Sequence, residues 1–296
     1  MVCRIRYHNS NVNVGTTPPV HVSVRSLSGT EARVILALEA RRQDEVTLDE
    51  IEALAHVRRG FARKLAHGLV VKSWLRRVGR GRYLRTPTSY GPDAGPEADP
   101  LRIGRHLVRP YYFAYGTAAE LWGLSLHPGR TYYLVTPSRT RTSVPGAARF
   151  HMVRTDPARF FGFTDLRRRG ETLSVSDRER TVLDCLRRPE YAGGFAGAAQ
   201  ILARAKAKLA WGRLAAYALR LGGRSLQRRL GYLAETLRPS VAPPPALLAR
   251  LRPRPEDAWV PLGPPRMYGR SGPRDQRWRL LLNVPERELF AEADTR

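Results

Sequence analysis

Two cysteines in 296 residues, Cys3 and Cys185, are too few and too far apart for a disulfide framework or a cysteine-based zinc site. Isolated thiols fit a reducing, cytoplasmic compartment. No apolar run approaches the ~18 residues of a membrane helix, and no membrane partner is expected. The seven histidines (His8, His21, His56, His67, His106, His127 and His151) show no ligand spacing of the H-x-x-x-H kind, so no metal is assigned. No serine stands in a G-x-S-x-G elbow, and no glycine set fits a P-loop or a dinucleotide loop. No cofactor and no catalytic residue follow. Residues 1–27, with Pro18-Pro19, lack the apolar centre of a signal peptide and read as a disordered leader or an overextended start.

Acidic residues are also scarce. The chain has 26 Asp and Glu against 51 Lys and Arg, a net charge of +25, which favours a polyanionic partner. Because arginine is spread along most of the chain, local segregation is more informative than the total. It is sharpest in Ala55–Pro87, which holds ten cations (Arg58, Arg59, Arg63, Lys64, Lys72, Arg76, Arg77, Arg80, Arg82, Arg85) and no acid.

The periodicity around this stretch predicts a small helical unit with a hairpin. Ser28-Gly29-Thr30-Glu31 and Thr47-Leu48-Asp49-Glu50 are capping boxes, in which the hydroxyl and the carboxylate satisfy unpaired N–H groups of the first turn. The first opens a helix over about 31–42, with Val34, Ala37 and Leu38 on one face. Gln43-Asp44-Glu45 reads as a turn, and the second box opens a short helix. In the third helix, Ala62, Leu65, Ala66 and Leu69 fall at i, i+3, i+4, i+7 and face a core. Arg59, Arg63 and His67 share another face, flanked by Arg58 and Lys64. Strands at 74–78 and 82–84 then flank Gly79-Arg80-Gly81. Three helices and a two-stranded wing over 28–86 describe a winged helix-turn-helix.

Residues 87–100, rich in Pro, Gly and acids, read as a linker, and 101–296 as a mixed α+β domain. In that domain a short helix is expected at Thr117–Leu124, and strands at Thr131–Thr136, Phe150–Arg154 and Thr172–Val175. A third capping box, Ser176–Glu179, precedes a helix, and more helices follow at about 195–208, 211–221 and 225–238. A Pro/Arg-rich segment at 239–257 leads to strands near Trp259–Leu262 and Trp278–Asn283. The fold class is therefore α+β, with an N-terminal winged helix.

A helix about 10–12 Å across fits the ~12 Å major groove. There Arg59 and Arg63 are placed to read guanine edges through paired N–H donors. Arg76, Arg77, Arg80 and Arg82 are placed to hold phosphates or to set the wing tip in a minor groove. Six to ten phosphate contacts imply a loss of ~10³–10⁵ in affinity between 50 and 200 mM salt. A nuclease or nucleotidyltransferase needs carboxylates clustered around Mg²⁺. Asp177 and Glu179 instead sit in the first turn of a helix, where acids complement the dipole. Lys206 and Lys208 read as surface residues. Cys185 reads as a small buried hydrophobe.

The combined pattern resembles the AbiEi family of type IV toxin–antitoxin antitoxins, predicted transcriptional regulators of viral defence systems. In the N-terminal part the carrying residues are Gly60–Leu65, Lys72–Leu75 and Gly81–Leu84. In the second they are Tyr115–Leu124, Phe160–Gly162, Val175–Asp184, Pro189–Gly194 and Arg228–Leu233, then Arg277-Trp278 and Asn283-Val284. Ser73 stands where the family tends to have a glycine before the tryptophan, at a helix end that favours a left-handed residue. The resemblance implies a repressor that binds double-stranded operator DNA. It also implies a C-terminal antitoxin domain acting against a nucleotidyltransferase-like toxin, without requiring direct contact, and no enzymatic activity. Two other readings compete: a DNA-targeting nuclease delivered by the basic unit, and a stand-alone regulator whose second domain senses a ligand. For the antitoxin role, aromatics at Tyr111–Tyr115 and cations at Arg228 and Arg229 are candidate surface residues.

Overall fold

The computed structural model describes residues 25–125, 129–139, 149–237 and 243–290. Both N-terminal capping boxes form. Ser28 Oγ accepts from the Glu31 N–H and the Glu31 carboxylate accepts from Ser28 N at 2.7 Å, opening α1 (Gly29–Ala40). Thr47 and Glu50 repeat the arrangement at α2 (Leu48–Ala55). Between them β1 (Glu45–Thr47) occupies part of the expected turn. After α3 (Arg59–Val71), β2 (Leu75–Gly79) and β3 (Arg82–Arg85) form an antiparallel hairpin, and β1 adds to the outer side of β3. Val34, Ile35, Leu38, Ile51, Ala62, Leu65 and Leu69 bury one stripe of each helix in a shared core. Ser73 takes the left-handed conformation at φ 61° without the help of glycine, and this turns the chain from α3 into the hairpin.

The second unit is built on a five-stranded sheet in the order β6-β5-β4-β8-β7. Its strands are β4 (Tyr112–Phe113), β5 (Thr131–Thr136), β6 (Arg149–Arg154), β7 (Phe163–Arg168) and β8 (Glu171–Ser176). The short helices α4 (Pro100–Gly104) and α5 (Tyr115–Leu121) flank the first strand. Helices α6 (Arg178–Arg187), α7 (Gly194–Ala205), α8 (Trp211–Leu221), α9 (Arg224–Thr236) and α10 (Pro245–Leu251) pack into the main core. The C-terminal part contributes β9 (Val260–Pro261), α11 (Pro265–Tyr268), β10 (Arg274–Asp275), β11 (Leu280–Leu281) and α12 (Glu286–Phe290). It is anchored by Trp278, 1 % exposed, whose indole lies where a side chain at Gly231 would stand and donates to Glu235 at 2.8 Å.

Several expectations need correction. Ser176 is not the cap of α6. Asp177 is, accepting from Arg180 N, while Ser176 Oγ bonds Thr181. The Pro/Arg-rich segment is helical over α10, which buries Leu247, Leu248 and Leu251; residues 238–242 lie outside the described residues. At the leader, Arg25 stacks 3.7 Å over Trp74 and donates to Thr86 and Gly91 carbonyls, whereas residues 1–24 lie outside the description. No helix among the described residues is long and apolar enough to cross a membrane.

The segment between the two units is held down as well. Glu97, 1 % exposed, accepts from Arg102, and its carbonyl accepts from Arg76 at 2.5 Å. Arg102 also donates to Asp44 at 2.7 Å, to the Arg85 carbonyl at 2.9 Å and to Glu171 at 3.1 Å. One guanidinium thus ties α1–β1, the hairpin, the connecting segment and β8 together. Val78, Leu84, Ile103 and Leu107 form an apolar cluster beside it, so the hairpin packs against α4.

Candidate nucleic-acid interface

Local folding decides which of the ten cations point outward. α2 ends at His56 in the left-handed region (φ 54°), and the chain re-enters a helix at Arg58, which caps α3 with no side-chain hydrogen bond. The apolar stripe of α3 is buried. Its opposite side presents Arg63, Lys64 and His67, all exposed, with Arg58 exposed at the entry. Arg77 and Arg80 are exposed on the hairpin, where Gly81 (φ 64°) makes the tight turn. Arg77 Nε donates to the Gly79 carbonyl at 3.2 Å, which bends the side chain toward the tip.

The remaining cations are engaged elsewhere. Arg59, expected to read bases, pairs with Asp49 and, at 3.5 Å, with Glu52 on α2. Lys72 pairs with Glu31 at 2.7 Å, and Arg85 with Glu39 and Asp44. Arg82 lies at 2.5 Å from Glu45 and donates to the His106 carbonyl at 2.7 Å. Burial pushes the Glu45 carboxyl up, but hydrogen bonds from His106 and Arg82 outweigh it and hold the group at about 2. Arg76 is turned to the Glu97 carbonyl. The expected face with nothing to neutralise it is therefore a smaller one. Arg58, Arg63, Lys64, Arg77 and Arg80 remain exposed without an ion pair among the described residues, joined by His67. Arg76 and Arg82, assigned to phosphate from the sequence, act instead in the junction between the two units.

Four acids of the second unit, Glu171, Asp177, Glu179 and Asp184, are each committed to a structural contact. Asp177 accepts from Tyr217 Oη at 3.0 Å and from Arg180 N, and burial raises its carboxyl above the ordinary range. Glu179 accepts from Ala210 N at 2.6 Å, Asp184 from Arg180 at 2.9 Å, and Glu171 from Arg102. No group of three or more His, Cys, Asp or Glu among the described residues could hold a metal ion. Cys185 is fully buried, and burial pushes its thiol up. Lys206 is not a surface residue: it is 4 % exposed, its Nζ has no hydrogen-bond partner among the described residues, and burial lowers its amine to about 8.

Most of the candidate antitoxin surface residues are interior too, while Tyr111 and Arg229 are half-buried. Tyr112, Phe113 and Tyr115 are at most 5 % exposed. Arg228 is 2 % exposed and bonds Asp257 and two backbone carbonyls, and Arg229 lies over Phe195 and donates to Pro261. A cavity of about 430 Å³ opens between α5, β5 and α7, walled by Tyr133 and Tyr191.

Compared with known proteins, residues 112–236 match the family of AbiEi antitoxin C-terminal domains. No curated protein matches the chain. Among solved structures, the crystal structure of the RV2827C protein from Mycobacterium tuberculosis is similar, with a TM-score of 0.62 at 18 % identity. The likeness covers 86 % of this chain and 92 % of that one, and at this identity it speaks for a shared α+β fold.

Proposed function

We propose, on the premise that residues 112–236 form an AbiEi antitoxin C-terminal domain, that the chain is a DNA-binding repressor and the antitoxin of its own toxin–antitoxin operon. The observation that carries the DNA-binding part is the set of exposed cations on one helix and one hairpin tip: Arg58, Arg63, Lys64, Arg77 and Arg80. A three-helix unit with a hairpin wing offers α3 to the major groove and the wing to the flanking backbone. In this arrangement Arg63 is the residue placed for a guanine edge, and the others hold phosphate. The toxin is a nucleotidyltransferase-like enzyme, opposed without required contact. This rests on the family match and on no single side chain.

The nuclease alternative finds less support, because Asp177 and Glu179 are held by Tyr217, Arg180, Ala210 and Arg213 rather than turned to a shared site. The test uses the full chain. Expressed from a second plasmid, it represses a reporter fused to the DNA upstream of its own gene, and it restores growth of cells expressing the neighbouring toxin gene. An Arg63→Ala/Lys64→Ala variant loses repression while remaining folded. An unrepressed reporter with wild-type protein rules out the repressor, and failure to restore growth rules out the antitoxin.

A further inference from the structure

The first turn of α3 carries one large apolar side chain that nothing in the described chain covers. Phe61 is 53 % exposed and stands outside the N-terminal core, to which α3 contributes Ala62, Leu65, Ala66 and Leu69. Its neighbours leave it as the residue with the longest reach. Arg59 is turned back on Asp49 and Glu52. Gly60 has no side chain, and nothing lies within 4 Å of where one would begin. Arg58 and Lys64, three residues before and after Phe61, flank it on its own side of the helix, both exposed, while Arg63 and His67, also exposed, face the other flank. The setting is an apolar ring within a fringe of cations. Its complement is an apolar group within a fringe of phosphates.

On the edges of B-DNA bases the major groove offers such a group in the thymine 5-methyl. The N-terminal residues of a recognition helix are the ones that reach base edges. We infer that Phe61 is a specificity-determining residue that packs on a thymine 5-methyl group and so fixes a T·A pair beneath the first turn of α3. The inference rests on the DNA-binding reading and adds to it a base that no cation of the helix selects.

Selection of binding sites from a randomised duplex library with the full chain, followed by a uracil scan of the enriched duplex at fixed salt, tests it. Replacing thymine by uracil removes the methyl group alone. One or two positions lose about fourfold in affinity, the equivalent of ~0.8 kcal/mol for one buried carbon. Phe61→Ala, soluble and folded because the side chain is already largely exposed, no longer distinguishes uracil from thymine there, whereas Phe61→Leu still does. A flat scan with wild-type protein, or an unchanged scan with Phe61→Ala, overturns the inference while leaving DNA binding intact. Failure to enrich any duplex removes the DNA-binding reading itself, and the inference with it. Dissociation of a dimer on Phe61→Ala, read by light scattering, reassigns the ring to a contact between two copies and also overturns it.

Discussion

Replacing Arg102 with methionine removes the cation that four segments share. Its guanidinium side chain is 5 % exposed and serves Glu97, Asp44, Glu171 and the Arg85 carbonyl. Glu97 is the partner left worst off, since at 1 % exposure water cannot replace the lost cation and, among the described residues, only the Asp99 N–H and a long contact from Tyr90 Oη remain. Removing one partner of a buried ion pair costs about 3–5 kcal/mol, mostly the penalty of the stranded charge. For a chain of this length each kcal/mol lowers the melting temperature by about 2 °C, so a drop of ~6–10 °C is expected by calorimetry. Because the lost contacts join the two units, the melt should also split, the N-terminal unit unfolding before the sheet domain. Arg102→Met/Glu97→Gln, which discharges the stranded acid, recovers part of the loss. A single variant that melts within 1–2 °C of wild type, about 1 kcal/mol or less, refutes the assignment of Arg102 as the bond between the units.

Two other outcomes follow from the packing. Gly231→Ala places a methyl group 2.1 Å from ring carbons of the buried Trp278, and overpacking of this kind costs about 1–3 kcal/mol or more, measurable as a lowered denaturant midpoint. Glu45 is held at about 2 by His106 and Arg82 against the upward push of burial, below the ~4.3 of a free glutamate. A carboxyl depressed on folding contributes stability that is fully present above the unfolded value and is lost as the pH falls from ~4.3 toward 2. Melts between pH 2 and 6 should therefore be flatter for Glu45→Gln than for wild type, and parallel curves contradict the contact.

The parts of the fold that were legible in the sequence are those with a periodic apolar face or a capping signature. The Ser28–Glu31 and Thr47–Glu50 boxes, the 62–65–66–69 stripe of α3 and the Gly-bounded hairpin all form where the residues say. The strand β7 was not legible, because FTDLRR lies at a sheet edge, mostly exposed, with Leu166 alone half-buried and no alternation to read. The misreading with most consequence was Glu45. Read as part of a turn, it faces nothing. As part of β1, paired with β3 in the register Thr47↔Arg82, it lies beside Arg82 and neutralises it. Likewise Asp49 and Glu52 lie outside the acid-free stretch in sequence but beside Arg59 in space. Charge segregation along a chain overstates segregation on a surface whenever the neighbouring helix carries the counter-ions.

The salt dependence of DNA binding tests the central claim, that five exposed cations and not ten form the interface. With Arg63 on a base edge, the four phosphate contacts of the others give a slope of log K against log salt of about −3.6, and a fall in affinity of roughly 150-fold between 50 and 200 mM. Arg63→Ala/Lys64→Ala should reduce the slope to about −2.7, while Arg82→Ala, which removes a cation already held by Glu45 and the His106 carbonyl, should leave it unchanged. A slope near zero, or one that Arg82→Ala reduces as much as the helix variant does, contradicts the account.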